Sequence, residues 1–113
     1  MTCEPWDIVV VPFPFTERVE TKRRPALVLS KGSFNRHGHT LLTMITSAAH
    51  EPWPGDTLVT GAEAAGLRTQ CVVRLKLFTL DNRLMIRAIG RLSPADRKTV
   101  GENMRRYLWP GPG

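Results

Sequence analysis

A small, mostly β barrel closed by one C-terminal α-helix is predicted from three features of the sequence. Short β-branched or alternating apolar runs recur from residue 7 to residue 90, Pro- and Gly-rich breaks separate them, and a single amphipathic helical pattern follows at residues 94–108.

The first run, Asp7-Ile8-Val9-Val10-Val11, ends at Pro12-Phe13-Pro14-Phe15, where two prolines remove ladder donors. A polar stretch to Arg24 leads into Pro25-Ala26-Leu27-Val28-Leu29-Ser30, a second strand whose entry is biased to extended geometry by the proline. Residues 31–39 carry Gly32, Gly38, Asn35 and two histidines, so they read as a loop. Thr40-Leu41-Leu42-Thr43-Met44-Ile45-Thr46 alternates well enough to be a third strand that ends at Thr46. Pro52, Pro54 and Gly55 mark another loop, followed by a short strand at residues 57–60 and a turn of small residues at 61–66. The runs at 71–80 and 83–90 flank Asp81-Asn82 and read as a hairpin or two closely linked strands. In the helix Ser93 is placed as N-cap, Pro94 at the first helical position, and Asp96 to bond back as in a capping box. Val100, Met104 and Leu108 recur every four residues and form the face expected to cover the sheet, and Trp109-Pro110-Gly111 stops the helix.

The 113 residues, 42% of them hydrophobic, suit one domain with a core that needs no disulfide. Sixteen Lys plus Arg against ten Asp plus Glu leave a charge of +6, which favours a polyanionic partner, nucleic acid or anionic lipid. Cys3 and Cys71 lie far apart, with no CxxC pair or zinc-ligand spacing, so neither a disulfide framework nor a metal site is expected. No basic segment followed by an apolar run opens the sequence, and no apolar stretch approaches the ~20 residues of a membrane helix. A soluble, cytoplasmic protein without membrane contact is the expectation.

Five blocks in one order, Trp6-Asp7-Ile8-Val9-Val10-Val11-Pro12-Phe13-Pro14-Phe15-Thr16, Lys22-Arg23-Arg24-Pro25-Ala26-Leu27-Val28-Leu29-Ser30, Ile45-Thr46-Ser47, Val72-Val73-Arg74-Leu75-Lys76-Leu77-Phe78-Thr79-Leu80-Asp81 and Ile89-Gly90-Arg91-Leu92-Ser93, resemble the PemK/MazF toxin family. The likeness spans about residues 6–108 of a chain expected to be one domain over residues 1–113. It implies an SH3-like barrel of the CcdB/Kid/MazF type, a homodimer, and the toxin half of a type II toxin–antitoxin pair. It also implies metal- and cofactor-free cleavage of single-stranded RNA, messenger RNA included, to 2′,3′-cyclic phosphate and 5′-OH ends. The cognate antitoxin would be a short protein whose acidic, disordered tail covers the basic cleft. Because one barrel can host unrelated functions, a gyrase-poisoning toxin and a degenerate member that binds only antitoxin or nucleic acid are the alternatives.

Metal-free RNA cleavage needs the 2′-OH deprotonated, the phosphorane charge stabilised and the 5′-oxygen protonated. Arg24 matches the family's catalytic arginine, and its guanidinium can grip phosphate oxygens bidentately; its high pKa suits charge stabilisation better than proton donation. Thr46 matches a threonine or serine that contacts the scissile phosphate, and Ser47 can assist it. Arg74 matches an arginine proposed as acid in the Kid/PemK branch and is expected on a strand beside Arg24. Lys76 stands where that branch carries an aspartate proposed as base, so the base is unassigned; Glu20 is near a loop glutamate of some relatives, with Glu17 competing.

Arg23, Glu20, Ser47, Lys76 and Trp53 complete the candidate RNA-binding set, and the catalytic set is Arg24, Thr46 and Arg74. Plainer roles fit some of these residues equally. Arg74 and Lys76 alternate with Val73, Leu75 and Leu77, as on a solvent-facing strand edge. His37, His39 and His50 fall in loops and are expected to be solvated, Trp6 to be core, and Cys71 to be a small buried hydrophobe. Trp53, in a Pro-rich loop, is a candidate to touch RNA or antitoxin.

Overall fold

The β-branched run at the N-terminus forms β1 (Asp7–Pro12), and Arg23-Arg24-Pro25-Ala26-Leu27-Val28 forms β2 (Arg23–Val28), paired antiparallel to it with Val9 facing Ala26 and Val11 facing Arg24. The computed structural model describes residues 2–12 and 22–113. The chain continues through a one-turn helix α1 (Gly32–Asn35), β3 (His39–Ser47), the short β4 (Thr57–Leu58), β5 (Cys71–Asp81), a 3₁₀ turn (Asn82–Leu84), β6 (Arg87–Arg91) and α2 (Pro94–Leu108). The strands form one antiparallel sheet in the order β4-β5-β3-β2-β1-β6. It curls into a half-barrel with α2 at its end, in agreement with the expected fold class.

Neighbouring residues of β1 and β2 point to opposite faces, and both faces are covered. Val9, Val11, Ala26 and Val28 pack with Leu42, Phe78 and Leu80, whereas Ile8 and Leu27 pack with Ile45, Val73, Leu92 and Val100. That is why β1 reads as an uninterrupted apolar run and lacks polar alternation. Each fully buried Ile, Leu or Val contributes roughly 1.5–3 kcal/mol, so the central strands β1, β2 and β3 hold the rest in place.

Three expectations are revised. Of the two readings of the runs at 71–80 and 83–90, the hairpin fails and the closely linked strands stand: β5 pairs with β3, and β6 crosses to the far edge to pair with β1. A two-residue hairpin turn of the expected kind needs positive φ at both central residues. Asp81 has φ −60°, and its carboxylate accepts the Arg83 N–H at 2.9 Å, starting a 3₁₀ turn that carries the chain away. The loop predicted at 31–39 contains α1, whose Asn35 is buried and donates to the carbonyls of Cys3 (2.8 Å) and Ser30 (2.9 Å). Those tertiary bonds stabilise a turn that Gly-Ser-Phe-Asn would not form alone.

The third revision concerns Asp96. Ser93 and Pro94 cap α2 as expected, with the Ser93 hydroxyl accepting the Asp96 N–H at 3.3 Å. The Asp96 carboxylate does not take the Ser93 backbone N–H as in a capping box; it accepts from the Thr60 and Gly61 N–H groups at 3.0 Å each and from the Thr60 hydroxyl at 2.6 Å. Burial opposes its ionisation, but the hydrogen bonds from Thr60, Gly61 and Ser93 outweigh burial and lower its pKa below the ordinary 3.8. A carboxylate with a depressed folded-state pKa adds stability that is present above the unfolded value and is lost as pH falls through the folded one. Asp96→Asn is therefore expected to cost about 2 kcal/mol at pH 7, with the gap to the parent chain closing below about pH 4. Urea denaturation at the two pH values measures it; a gap that stays constant with pH would contradict the assignment.

Candidate active site

Pro25 biases Arg24 to extended backbone, and Arg24 joins the β1·β2 ladder opposite Val11. On the other side β2 meets β3 with Ala26 facing Met44 and Val28 facing Leu42, so the same register continued by two residues sets Arg24 opposite Thr46. Opposed residues of antiparallel strands share a face of the sheet. Arg24, Thr46 and Ser47 line one cleft of about 680 Å³, whose apolar lining includes Val10, Pro25, Ile45, Leu67 and Ile89. Thr46 is buried at 4% exposure, and among the described residues no group hydrogen-bonds its hydroxyl in the structure.

Two further arginines complete the rim. Arg68 and Thr69 enter from the segment before β5, and Arg87 enters from β6, where it faces Val10. A second cavity of about 400 Å³ is lined by Arg23, Arg24, Arg87 and Ile86, and it shares Val10, Arg24, Pro25 and Arg87 with the first, so the two adjoin. The charged side chains lining this trough are Arg23, Arg24, Arg68 and Arg87, with no Asp, Glu or His among the described lining residues. Four guanidinium groups and three hydroxyls, from Thr46, Ser47 and Thr69, on an open apolar floor match a phosphodiester chain: multivalent cationic donors for the phosphates and room for bases. Sequence reasoning missed Arg68 and Arg87, because no motif marks either, and only the pairing of β6 with β1, which sets Arg87 opposite Val10, brings Arg87 to Arg24.

The remaining candidates are dispersed. Arg74 is not beside Arg24: β3 separates β5 from β2, and Arg74 is absent from the lining of the cleft. Its guanidinium is held by Asp56, with Nε donating to Oδ1 at 3.1 Å and Nη2 to Oδ2 at 3.0 Å. Nor does it face solvent: its side chain is 12% exposed, just past the Val72–Val73 stretch that β4 covers. Lys76 is half-buried on β5, away from the cleft. Trp53 is 45% exposed in the loop between β3 and β4, with the Arg74 guanidinium 5.7 Å from its ring centre. Glu20 and Glu17 lie outside the described residues. His37, His39 and His50 are exposed, Trp6 packs against the core and Cys71 is buried.

The sequence profile described as "PemK-like, MazF-like toxin of type II toxin-antitoxin system" matches residues 4–108. The chain belongs to this PemK/MazF toxin family. MazF-type toxins are endoribonucleases, which puts the chain in an enzyme class. No curated protein sequence matches it significantly. Among solved structures it is similar to MazF from Deinococcus radiodurans, with 21% identity, a TM-score of 0.75, and 96% of this chain and 97% of that chain covered. It is also similar to the Mycobacterium tuberculosis toxin MazF-mt6, at 20% identity, TM-score 0.72, and 88% and 93% coverage of the two chains. A third similar structure is an endoribonuclease in complex with its cognate antitoxin from a mycobacterial species, at 16% identity, TM-score 0.72, and 96% and 98% coverage. At these identities the structural likeness speaks for the fold, and the matched profile carries the family.

Proposed function

We propose that this PemK/MazF-family chain cuts single-stranded RNA, including messenger RNA, in the Arg24–Thr46 cleft without a metal ion. The observation that carries the reading is the meeting of Arg24, Thr46 and Ser47 in one trough whose described charged lining is all arginine. In the reaction the 2′-oxygen attacks the adjacent phosphorus as its proton leaves, the bond from phosphorus to the 5′-oxygen breaks, that oxygen takes a proton from solvent water, and the products are a 2′,3′-cyclic phosphate and a 5′-OH. Arg24 grips the non-bridging oxygens as their charge grows, and the Thr46 hydroxyl donates to one of them. Ser47 binds beside it. The 2′-OH proton leaves to a base that is not among the described lining residues; Glu20, with Glu17 competing, is the sequence's candidate.

The antitoxin is proposed to be a short protein whose acidic tail occupies the same arginine trough and competes with phosphate. A homodimer is supported by the exposed apolar side chains of Tyr107, Leu108 and Trp109 at the end of α2. Among the described residues no helix is long and apolar enough to cross a membrane, and the proposed substrate is cytoplasmic.

Purified protein incubated with a long RNA tests the function. Cleavage is expected to proceed unchanged in excess EDTA, to leave cyclic phosphate and 5′-OH ends, and to stop when an acidic antitoxin tail is added. RNA left intact, or cleavage lost with EDTA, would contradict the reading.

A further inference from the structure

Arg74 is a firmly anchored cation outside the cleft. Its side chain is 12% exposed and that of Asp56 15%, and the two make a bidentate ion pair. Arg74 Nη2 also donates to the Glu51 carbonyl at 2.7 Å, and Asp56 Oδ2 accepts the Trp53 N–H at 2.9 Å. The segment held in this way leads directly out of the cleft edge. After Thr46 and Ser47 the chain turns, with Ala48 N–H bonded to the Gln70 carbonyl (3.0 Å), Ala49 N–H to the Ser47 hydroxyl (3.2 Å) and His50 N–H to the Ser47 carbonyl (3.3 Å). The next residue is Glu51, whose carbonyl Arg74 grips.

The sheet prepares this arrangement. Thr43 faces Leu77 but Met44 faces Arg74, so Leu75 and Lys76 are extra residues on β5, and the bulge lies just before Thr46. Bulges of this kind re-aim the strand beside a functional site. The Thr43 hydroxyl donates to the Arg74 carbonyl and fastens the bulge from the β3 side. An Arg74 moved to the phosphate would leave Asp56 unpaired and the Glu51 carbonyl without its donor.

We infer that Arg74 is a positioning residue, which with Asp56 clamps residues 47–56 and so fixes the Thr46–Ser47 edge of the cleft. This role rests on the cleavage reading above and replaces the expectation that Arg74 acts on the phosphate. Arg74 and Asp56 then work as one unit, and removal of either has the same consequence. A misplacement of a phosphate contact by an ångström lowers turnover without removing the binding groups.

Arg74→Met and Asp56→Asn are each expected to lower kcat about tenfold, with KM within about twofold of the parent, and the double variant is expected to fall no further than the worse single one. Hydrogen exchange at the amides of Ala48, Ala49 and His50 is expected to quicken about tenfold in all of them and to stay unchanged in Arg24→Ala. If Asp56→Asn keeps full kcat while Arg74→Met falls as far as Arg24→Ala, Arg74 acts on the substrate and the clamp is overturned. Should Arg74→Met fail to fold, Asp56→Asn and Arg74→Lys carry the test, because lysine can hold Asp56 only as a point charge. If the parent protein cuts no RNA, the cleavage reading fails on its own. Exchange then decides the clamp, and an unaltered rate in both single variants overturns it.

Discussion

Arg24→Ala is expected to lower RNA cleavage by about a thousandfold in kcat, the largest effect of any single substitution in the cleft. The guanidinium supplies parallel donors to oxygens whose charge increases as the phosphorane forms, on an apolar floor of Val10, Pro25 and Ile45 where such bonds are worth more than in water. Arg24→Lys restores the charge but not the fork, so it is expected to remain within about tenfold of the alanine variant. Thr46→Ala removes one neutral donor and is expected to cost ~10- to 100-fold, while Thr46→Ser keeps the hydroxyl and most of the activity. Arg24 is half-buried at the entry of β2, so thermal unfolding should report folded variants throughout. Single-turnover cleavage of a labelled RNA measures the series. An Arg24→Ala enzyme that cuts within about threefold of the parent would remove Arg24 from the mechanism.

The parts of the fold written in local chemistry are those that the sequence makes legible. The runs that became β1, β2 and β3 are β-branched or alternating and are ended by Pro12, Ser30 and the small residues after Ser47. The cap of α2 is equally local, because Ser93 and Pro94 act within their own turn. Long-range pairing is not written locally. Nothing in Asp81-Asn82 itself distinguishes a hairpin from a 3₁₀ turn that sends β6 to the opposite edge, and that single difference decides whether Arg87 stands near Arg24.

The same division runs through the site. Arg24 and Thr46 are found by motif, since each sits at a strand position that the adjoining sequence defines. Arg68 and Arg87 are found only by topology. Arg74 shows the converse: its place in the family pattern suggests chemistry, yet Asp56, 18 residues away in sequence, has already engaged its guanidinium. A motif fixes where a residue is in the chain, whereas its partners fix which of its hydrogen bonds remain available to a substrate.

Gly66→Ala and Gly90→Ala are each expected to destabilise the protein by about 3 kcal/mol, a fall in Tm of roughly 12–20 °C for a chain of this size. The two glycines lie where the turn after β4 presses on β6. A Cβ on Gly66, whose φ is +73°, would sit 2.1 Å from the Ile89 carbonyl oxygen. On Gly90 it would sit 2.4 Å from the Ala65 carbonyl carbon and 2.5 Å from the Ala64 oxygen. These obstacles are backbone atoms, so no rotamer change relieves them. Parting the turn from the strand stretches the Arg91 N–H bond to the Ala64 carbonyl, 3.1 Å long in the native fold. The damage reaches function because Gly66, Leu67, Arg68 and Ile89 line the cleft, so RNA affinity should fall together with stability. Gly101→Ala is the control: it lies in α2 with nothing within 4 Å of a new Cβ, and alanine there should stabilise the helix by about 0.5–1 kcal/mol. Thermal unfolding of the three variants decides the matter. A Gly90→Ala protein as stable as Gly101→Ala would mean that the turn and β6 are not in the close contact from which this prediction is derived.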